Sequence, residues 1–265
     1  MAFDGITISN IVHDLNNTIL GGRLYKIAQP ESDELLLTIK TGQGQFRVVL
    51  SSNASLPLAY ITDDNKPSPA TAPNFVMLLR KHIGSARILS ITQPGLERIL
   101  EFELEHLNEL GDVCHKVLIM ELMGKHSNII FCDDQNMILD SIKHVSAQMS
   151  SVREVLPGRD YFIPDTMHKL DPLSADPEAF AEMLRSKPMP ISKALYSGFT
   201  GISPVVAEEI CTISGINSSM TASDLSDDIM HHLYNQFEIY IDQVREGQFQ
   251  PVIYYDNGNP KDFSC

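Results

Sequence analysis

Two long stretches of this sequence follow one pattern, in which a helix-like segment precedes several short segments that alternate between apolar and polar residues. Residues 99–106 show the alternation clearly, because Leu100, Phe102 and Leu104 are interleaved with glutamates. Successive side chains of a strand point to opposite faces, so a period of two indicates strands with one buried face. Two such blocks within residues 1–150 predict an α+β fold with a mainly antiparallel sheet or sandwich.

The first helix is expected to begin at Ser9, a suitable N-cap, and to end at Gly21-Gly22. Residues 74–84 predict a second helix. Strands are predicted after each helix, at residues 23–29, 34–41, 45–52 and 58–64, and at residues 86–92, 98–106, 115–123, 127–134 and 137–145. No glycine-rich turn joins a strand to a helix in the manner of a nucleotide-binding fold.

The sequence changes character near residue 157, where a proline-rich linker begins. Helices are predicted after it at residues 177–186, 191–198, 205–214 and 222–247. The chain ends in two short strands around Asn257-Gly258, a residue pair typical of a type I′ turn. We therefore expect a first domain over 1–168, a helical domain over 169–248, and a hairpin over 249–265 that packs back on the first domain. The last residues stop within a strand, which suggests a piece of a longer protein.

The composition excludes several classes of protein. The net charge of −14 argues against a surface that is basic overall, so any contact with nucleic acid must be local. No apolar run is long enough for a membrane helix and the first residues carry no secretory signal, so a cytoplasmic protein without membrane contact is expected. The four cysteines form no C-x-x-C pair, and no catalytic residue, metal ligand or cofactor site is predicted.

Arg98 breaks the alternation of its strand. It shares the parity of the apolar residues, while Glu97 shares that of the glutamates, and a turn at Gln93-Pro94-Gly95 precedes both. Either the strand begins one or two residues later and Arg98 is a turn residue, or the guanidinium has a function. Arg80 and Lys81 form a small basic spot that would ordinarily be a solvated face.

Residues 191–214 have the layout of a helix-hairpin-helix, with Gly201 in the turn and Ser203 as the N-cap of the second helix. Backbone N–H groups at such a turn bind phosphate in nucleic-acid-binding proteins. Gly201 and Ser203 are therefore weak candidates for phosphate binding, and a plain connection between two helices is the alternative.

Six blocks of the sequence, in order, resemble the NFACT-N domain of the RqcH family, the bacterial ribosome-quality-control proteins long described as fibronectin-binding protein A. These blocks are "LNNTILGGRLYKIAQP", "NFVMLLRKHI", "QPGLERILEFE", "ELMGKHSNIIF" and "VLPGRDYFIP", together with "FDG" near the start. The resemblance implies a fold similar to the N-terminal domain of formamidopyrimidine-DNA glycosylases, followed by the helix-hairpin-helix. The N-terminal proline nucleophile of those enzymes is not found here, so a binding module rather than an enzyme is expected.

The resemblance also implies residues for binding tRNA. Glu97 and Arg98 stand where family members carry an Asp-Arg pair associated with tRNA, and Glu97 departs from it by one methylene. Glu121, Leu122 and Met123 match a block used near bound tRNA, although a core strand is the alternative. Arg80 and Lys81 are weaker candidates for contacts with the tRNA backbone.

The partners implied by the resemblance are tRNA and the large ribosomal subunit carrying a stalled peptidyl-tRNA. Family members recruit charged tRNA, alanyl-tRNA in bacteria, for template-free extension of the nascent chain. A surface adhesin that binds fibronectin is the alternative, and a DNA glycosylase is a third class.

Overall fold

The computed structural model describes residues 3–165 and 167–265, and the chain separates into two compact units. The sheet unit comprises residues 11–93 and 99–164. The helical unit comprises the chain up to Asn10, residues 94–98 and the chain from Asp165 onward. The short turn at 94–98, although it lies between two strands in sequence, therefore belongs to the helical unit.

Between residues 3 and 164 the structure contains nine strands and two α-helices. These elements are α1 (Gly5–Ile19), β1 (Arg23–Glu31), β2 (Glu34–Thr41), β3 (Gly44–Ser51), β4 (Leu58–Thr62), α2 (Asn74–Ile83), β5 (Arg87–Thr92), β6 (Ile99–Leu107), β7 (Val113–Glu121), β8 (Asn128–Asp133) and β9 (Ile138–Ser141). Each predicted strand is present, with ends shifted by a few residues.

The nine strands form one sheet in the order β4-β3-β2-β1-β5-β6-β7-β8-β9, and each neighbouring pair is antiparallel. This confirms the predicted α+β class with an antiparallel sheet, and the strands join a single sheet. In β6 the side chains of Leu100, Phe102 and Leu104 are each at most 1% exposed, while the glutamates between them are half-buried. The period of two thus predicted the buried face correctly.

The start of α1 was predicted wrongly. The helix begins at Gly5, and Asp4 caps it by accepting a hydrogen bond from the backbone N–H of Thr7 at 2.8 Å. Ser9 lies inside the first turns instead of at the N-cap. The helix extends further toward the N-terminus because Ile6 and Ile8 are both buried, and burial of these side chains outweighs a local capping preference. The stop at Gly21-Gly22 is as predicted.

Four α-helices lie in the helical unit between residues 167 and 265. They are α3 (Pro177–Arg185), α4 (Ile191–Gly198), α5 (Pro204–Ile213) and α6 (Asp227–Arg245). The core contains Phe180, Phe199 and Phe237, whose ring centroids lie 4.8–5.7 Å apart. Offset aromatic contacts at these separations add to the free energy of burial.

The long helix predicted over 222–247 is interrupted. Ala222–Asp224 form a separate 3-10 turn, and α6 begins only at Asp227, after Ser226 in extended conformation. Asp227 and Asp228 occupy the first turn of α6, where carboxylates are stabilised by the helix dipole. Among the described residues no helix is long and apolar enough to cross a membrane.

The terminal hairpin consists of β10 (Val252–Asp256) and β11 (Asn259–Ser264). Asn257 and Gly258 connect the strands with φ of 50° and 79°, the pair of positive values that a type I′ turn requires. The ring of Phe263 lies 5.6 Å from that of Phe3. The hairpin and the first residues of the chain both belong to the helical unit.

Candidate nucleic-acid interface

The turn at residues 94–98 is anchored by one apolar side chain. Leu96 is 1% exposed and belongs to the core of the helical unit. Gly95 has a φ of 53°, which glycine adopts without strain, and the backbone N–H of Glu97 donates to the carbonyl of Pro94 at 3.0 Å. Arg98 directly precedes β6 and is therefore a turn residue, as the first of the two alternatives predicted. The turn presents Glu97 and Arg98 next to the buried leucine.

Two glycines allow the backbone of this turn to pack closely against the helical unit. The N–H of Gly5 donates to the carbonyl of Gly201 at 2.9 Å. A Cβ atom would lie 2.2 Å from the Leu96 carbonyl oxygen if placed on Gly5, and 2.3 Å from it if placed on Gly201. Gly201 also has a φ of +75°. Packing thus excludes a side chain at Gly201, and its predicted role in phosphate binding remains a prediction.

Glu97 and Arg98 differ in their exposure. Arg98 is exposed and Glu97 is half-buried. Burial raises the pKa of the Glu97 carboxyl, and the charges of Arg98 and Lys169 oppose this rise. A half-buried carboxylate beside an exposed guanidinium is suited to holding a ligand that offers both acceptors and donors. Glu97 and Arg98 are neighbours in the chain, so what the structure adds is that one is half-buried and the other exposed.

Lys169 is part of the same site and was not predicted. Its ammonium group donates to the carbonyl of Tyr196 at 2.8 Å. Burial lowers its pKa, the charge of Arg98 lowers it further, and the charge of Glu97 raises it. The residue lies in the proline-rich segment interpreted as a linker, where no periodicity marks a functional position. Only the fold shows that it lies near Glu97 and Arg98.

Glu121 lies inside the sheet unit. It is 1% exposed, forms an ion pair with Arg153 at 2.5 Å and accepts a hydrogen bond from the Tyr161 hydroxyl at 3.0 Å. Leu122 is also 1% exposed, and Met123 is half-buried. Glu121 is the last residue of β7 and fits the core-strand alternative, whereas Leu122 and Met123 follow the end of the strand. A role of the three residues in tRNA binding remains a prediction.

Arg80 and Lys81 lie in the last turn of α2, and both are exposed. The Nε–H of Arg80 donates to the carbonyl of Ile27 at 2.8 Å. Both residues line an open groove of about 690 Å³ together with Arg23 and Lys26 of β1. We call this feature the basic groove.

Ser203 caps α5 as predicted. Its hydroxyl accepts a hydrogen bond from the N–H of Val206 at 3.3 Å, and Pro204 occupies the first helical position. The nearby Glu208 and Glu209 are exposed and acidic. Phosphate binding at Ser203 remains a prediction. No group of three or more metal-ligating side chains lies within the described part of the chain.

The family of the chain follows from its sequence. The model of the NFACT N-terminal and middle domains matches residues 4–265. The chain belongs to this family. It is 37% identical over 222 residues to the Rqc2 homolog RqcH of Bacillus subtilis, covering 83% of this chain and 39% of that protein. It is 36% identical over 211 residues to RqcH of Streptococcus pneumoniae serotype 2, covering 79% of this chain and 38% of that protein.

Solved structures of similar proteins share the fold. The N-terminal part of the fibronectin/fibrinogen-binding protein of Streptococcus suis superposes with a TM-score of 0.77 at 32% identity, covering 91% of this chain and 85% of that one. The N-terminal domain of the fibronectin-binding protein PavA of Streptococcus pneumoniae gives 0.73 at 36% identity, covering 80% and 79%. The chain spans about two fifths of the length of the curated relatives it matches.

Proposed function

We propose that this chain is the tRNA-binding part of a ribosome-quality-control factor. The observation that carries the proposal is the exposed Arg98, presented beside Glu97 on a turn that Leu96 anchors in the core. The family assignment supports it, because the similar curated proteins are named as Rqc2 homologs and as subunits of the ribosome quality control complex.

The chemistry of the pair suits a nucleic acid. The planar guanidinium of Arg98 offers N–H donors in a fork that fits two phosphate oxygens or the O6 and N7 atoms of a guanine. The carboxylate of Glu97 accepts hydrogen bonds and is suited to the exocyclic amino group of a base. Lys169 adds a third charge beside them and favours the ionised form of the carboxylate.

In the whole protein, we propose that the chain engages the large ribosomal subunit with its stalled peptidyl-tRNA and recruits tRNA, alanyl-tRNA in bacteria, for template-free tailing of the nascent chain. In this proposal the peptidyl-transferase centre supplies the chemistry, and the chain acts only as a binding module. It does so in the cytoplasm. In this proposal α4 and α5 form a helix-hairpin-helix, and the sheet unit follows the plan of the glycosylase N-terminal domain.

The test is tRNA binding by the full-length protein with and without Arg98→Ala, at two salt concentrations. We expect the affinity to fall about tenfold or more, because a good bidentate contact contributes about 1–3 kcal/mol. The circular dichroism spectrum should not change. Arg185→Ala is a matched control, since it removes another exposed arginine of the helical unit. Arg98→Lys keeps the charge but not the fork, so it should restore binding only in part. Equal binding by the Arg98→Ala and Arg185→Ala variants would refute the proposal.

Fibronectin binding is a second candidate, because two of the similar structures are of proteins described as fibronectin-binding. Immobilised fibronectin and tRNA should be offered to the same preparation. Saturable binding of fibronectin that survives Arg98→Ala would favour the adhesin. Binding of tRNA alone would favour the quality-control factor.

A further inference from the structure

The basic groove carries a concentration of positive charge in a chain that is acidic as a whole. It is formed by β1, the last turn of α2 and the end of β6. Four side chains that line it are cationic, namely Arg23, Lys26, Arg80 and Lys81, against one carboxylate, Glu105. The whole chain has a net charge of −14. A local surplus of this kind in an acidic chain indicates a site for an anion.

The pairing of the strands adds like charges at the same place. Arg23 lies opposite Lys40 of β2 on one side and opposite Arg87 of β5 on the other. Like charges directly opposite each other destabilise a sheet. The row ends at Glu105, which lies opposite Arg87 and offsets part of this repulsion. An anionic ligand would offset the rest.

Helix α2 explains only part of the charge. Cations in the last turn of a helix are stabilised by its dipole, which accounts for Arg80 and Lys81. Arg23 and Lys26 lie on a strand and gain nothing from that dipole. They complete the groove from its other side.

An exposed aromatic side chain in the groove suits a nucleic acid. Tyr25 is 60% exposed, and the Lys40 ammonium covers one face of its ring, 3.4 Å from the centroid, so a base would stack on the opposite face. Exposed aromatic rings between cations are a common platform for stacking bases.

We infer that the basic groove binds the sugar-phosphate backbone of an RNA strand, with Tyr25 stacking on a base or ribose. The inference rests on the proposed RNA-binding function and adds a second site, of low sequence preference, to the one at Arg98. Arg80, held through Nε by the Ile27 carbonyl, would direct its terminal nitrogens toward a phosphate.

The test compares two double variants of the protein, each lacking two exposed lysines. Lys26→Gln with Lys81→Gln removes charge from the groove, and Lys125→Gln with Lys193→Gln removes the same charge elsewhere. Binding of a short unstructured oligouridine is measured as a function of salt. The groove variant should lose about tenfold in affinity. The plot of log binding constant against log salt concentration should become less steep by about 1.4, because two phosphate contacts contribute about 0.7 each. The control should retain both.

Tyr25→Ala should lose about fivefold or more through lost stacking, and Tyr25→Phe should retain binding. Equal losses in the two double variants, or no loss in either, would overturn the inference. Displacement of the oligouridine by inorganic phosphate at constant ionic strength would assign the groove to a free phosphate and would also overturn it.

The same assay separates this inference from the proposed function. Loss of tRNA binding in Arg98→Ala, with no effect of the groove variant on either RNA, would remove only the groove inference. Loss of oligouridine binding in the groove variant, with tRNA binding unaffected by Arg98→Ala, would remove only the function proposed for Arg98.

Discussion

Arg153 and Glu121 form a buried ion pair in the sheet unit, with Nη2 of the arginine 2.5 Å from both carboxylate oxygens. The Tyr161 hydroxyl donates to the same carboxylate, and the Arg153 guanidinium lies 5.3 Å from the tyrosine ring centroid. The pair connects the last residue of β7 to the segment that follows β9. Burial, together with the charge of Glu121, raises the pKa of Tyr161, so its hydroxyl remains a donor.

We predict that Glu121→Ala lowers the free energy of unfolding by about 3–5 kcal/mol, because it leaves the guanidinium buried without its partner. The Arg153 side chain is only 12% exposed. Urea denaturation would measure the loss. Lys261→Ala is the control, since it breaks the exposed pair with Asp256 and should cost at most about 1 kcal/mol.

If both substitutions lowered the free energy of unfolding equally, the buried pair would stabilise the protein no more than an exposed pair does. Loss of tRNA binding by Glu121→Ala without loss of stability would instead support a direct role of Glu121 in recognition.

Gly201→Ala should disrupt the anchoring of the turn at 94–98. The added methyl would meet the Leu96 carbonyl at 2.3 Å, and φ is +75°. Left-handed strain and backbone overlap together should cost about 3 kcal/mol or more. Thermal and chemical unfolding would measure it, and binding of tRNA should weaken with it.

Gly215→Ala separates the two contributions. Gly215 also has a positive φ, +64°, but nothing lies within 4 Å of the position that a Cβ atom would take there. Strain alone should cost about 1–2 kcal/mol. Equal losses for the two glycines would mean that the close approach to Leu96 contributes nothing to stability.

The pH dependence of stability should report on Glu97. Burial raises its pKa, so the folded state holds the proton more tightly than the unfolded chain does. The stability that this contributes is present below the unfolded pKa and is lost as pH rises through the folded pKa. Glutamine does not titrate. The Tm of Glu97→Gln relative to the wild type should therefore increase between about pH 4 and about pH 7.

Glu209→Gln, at an exposed position of the same unit, serves as the control. A difference in Tm for Glu97→Gln that does not change with pH would show that the carboxyl is not perturbed in the folded protein.

Lys143 should contribute to stability through its hydrogen bonds. Its ammonium donates to the carbonyl of Ser127 at 3.0 Å and to that of Ser52. Burial lowers its pKa. Lys143→Met removes the donor for two carbonyls of buried residues and should cost about 1–3 kcal/mol in unfolding free energy. Lys125→Met changes an exposed lysine and should leave the stability within about 0.5 kcal/mol of the wild type.

Local patterns predicted most of the secondary structure, because strand periodicity and turn preferences depend on residues that are close together in the chain. The alternation in β6 predicted which side chains are buried, and the pair Asn257-Gly258 predicted the turn of the last hairpin. The errors arose where distant packing outweighed a local preference. Helix α1 begins four residues before Ser9, and α6 begins at Asp227 rather than near Ala222.

The candidate site was predicted in part. A break in alternation drew attention to Arg98, and the structure places it as the exposed residue of a turn, beside Glu97. A sequence pattern could not distinguish a strand residue near a ligand from a strand residue in the core. Glu121, which is buried, is an example. Lys169 lies in an irregular segment and carries no sequence signal at all.

The sequence by itself determined the strands, the last turn and the family, because periodicity and turn chemistry depend on neighbours in the chain. Only the tertiary structure decided which side chains meet. It brings Gly5, Leu96 and Gly201 together, although they are far apart in sequence, and it gathers cations of β1 and α2 around one groove. Such contacts depend on how distant segments pack, and burial and electrostatics there act through space rather than along the chain.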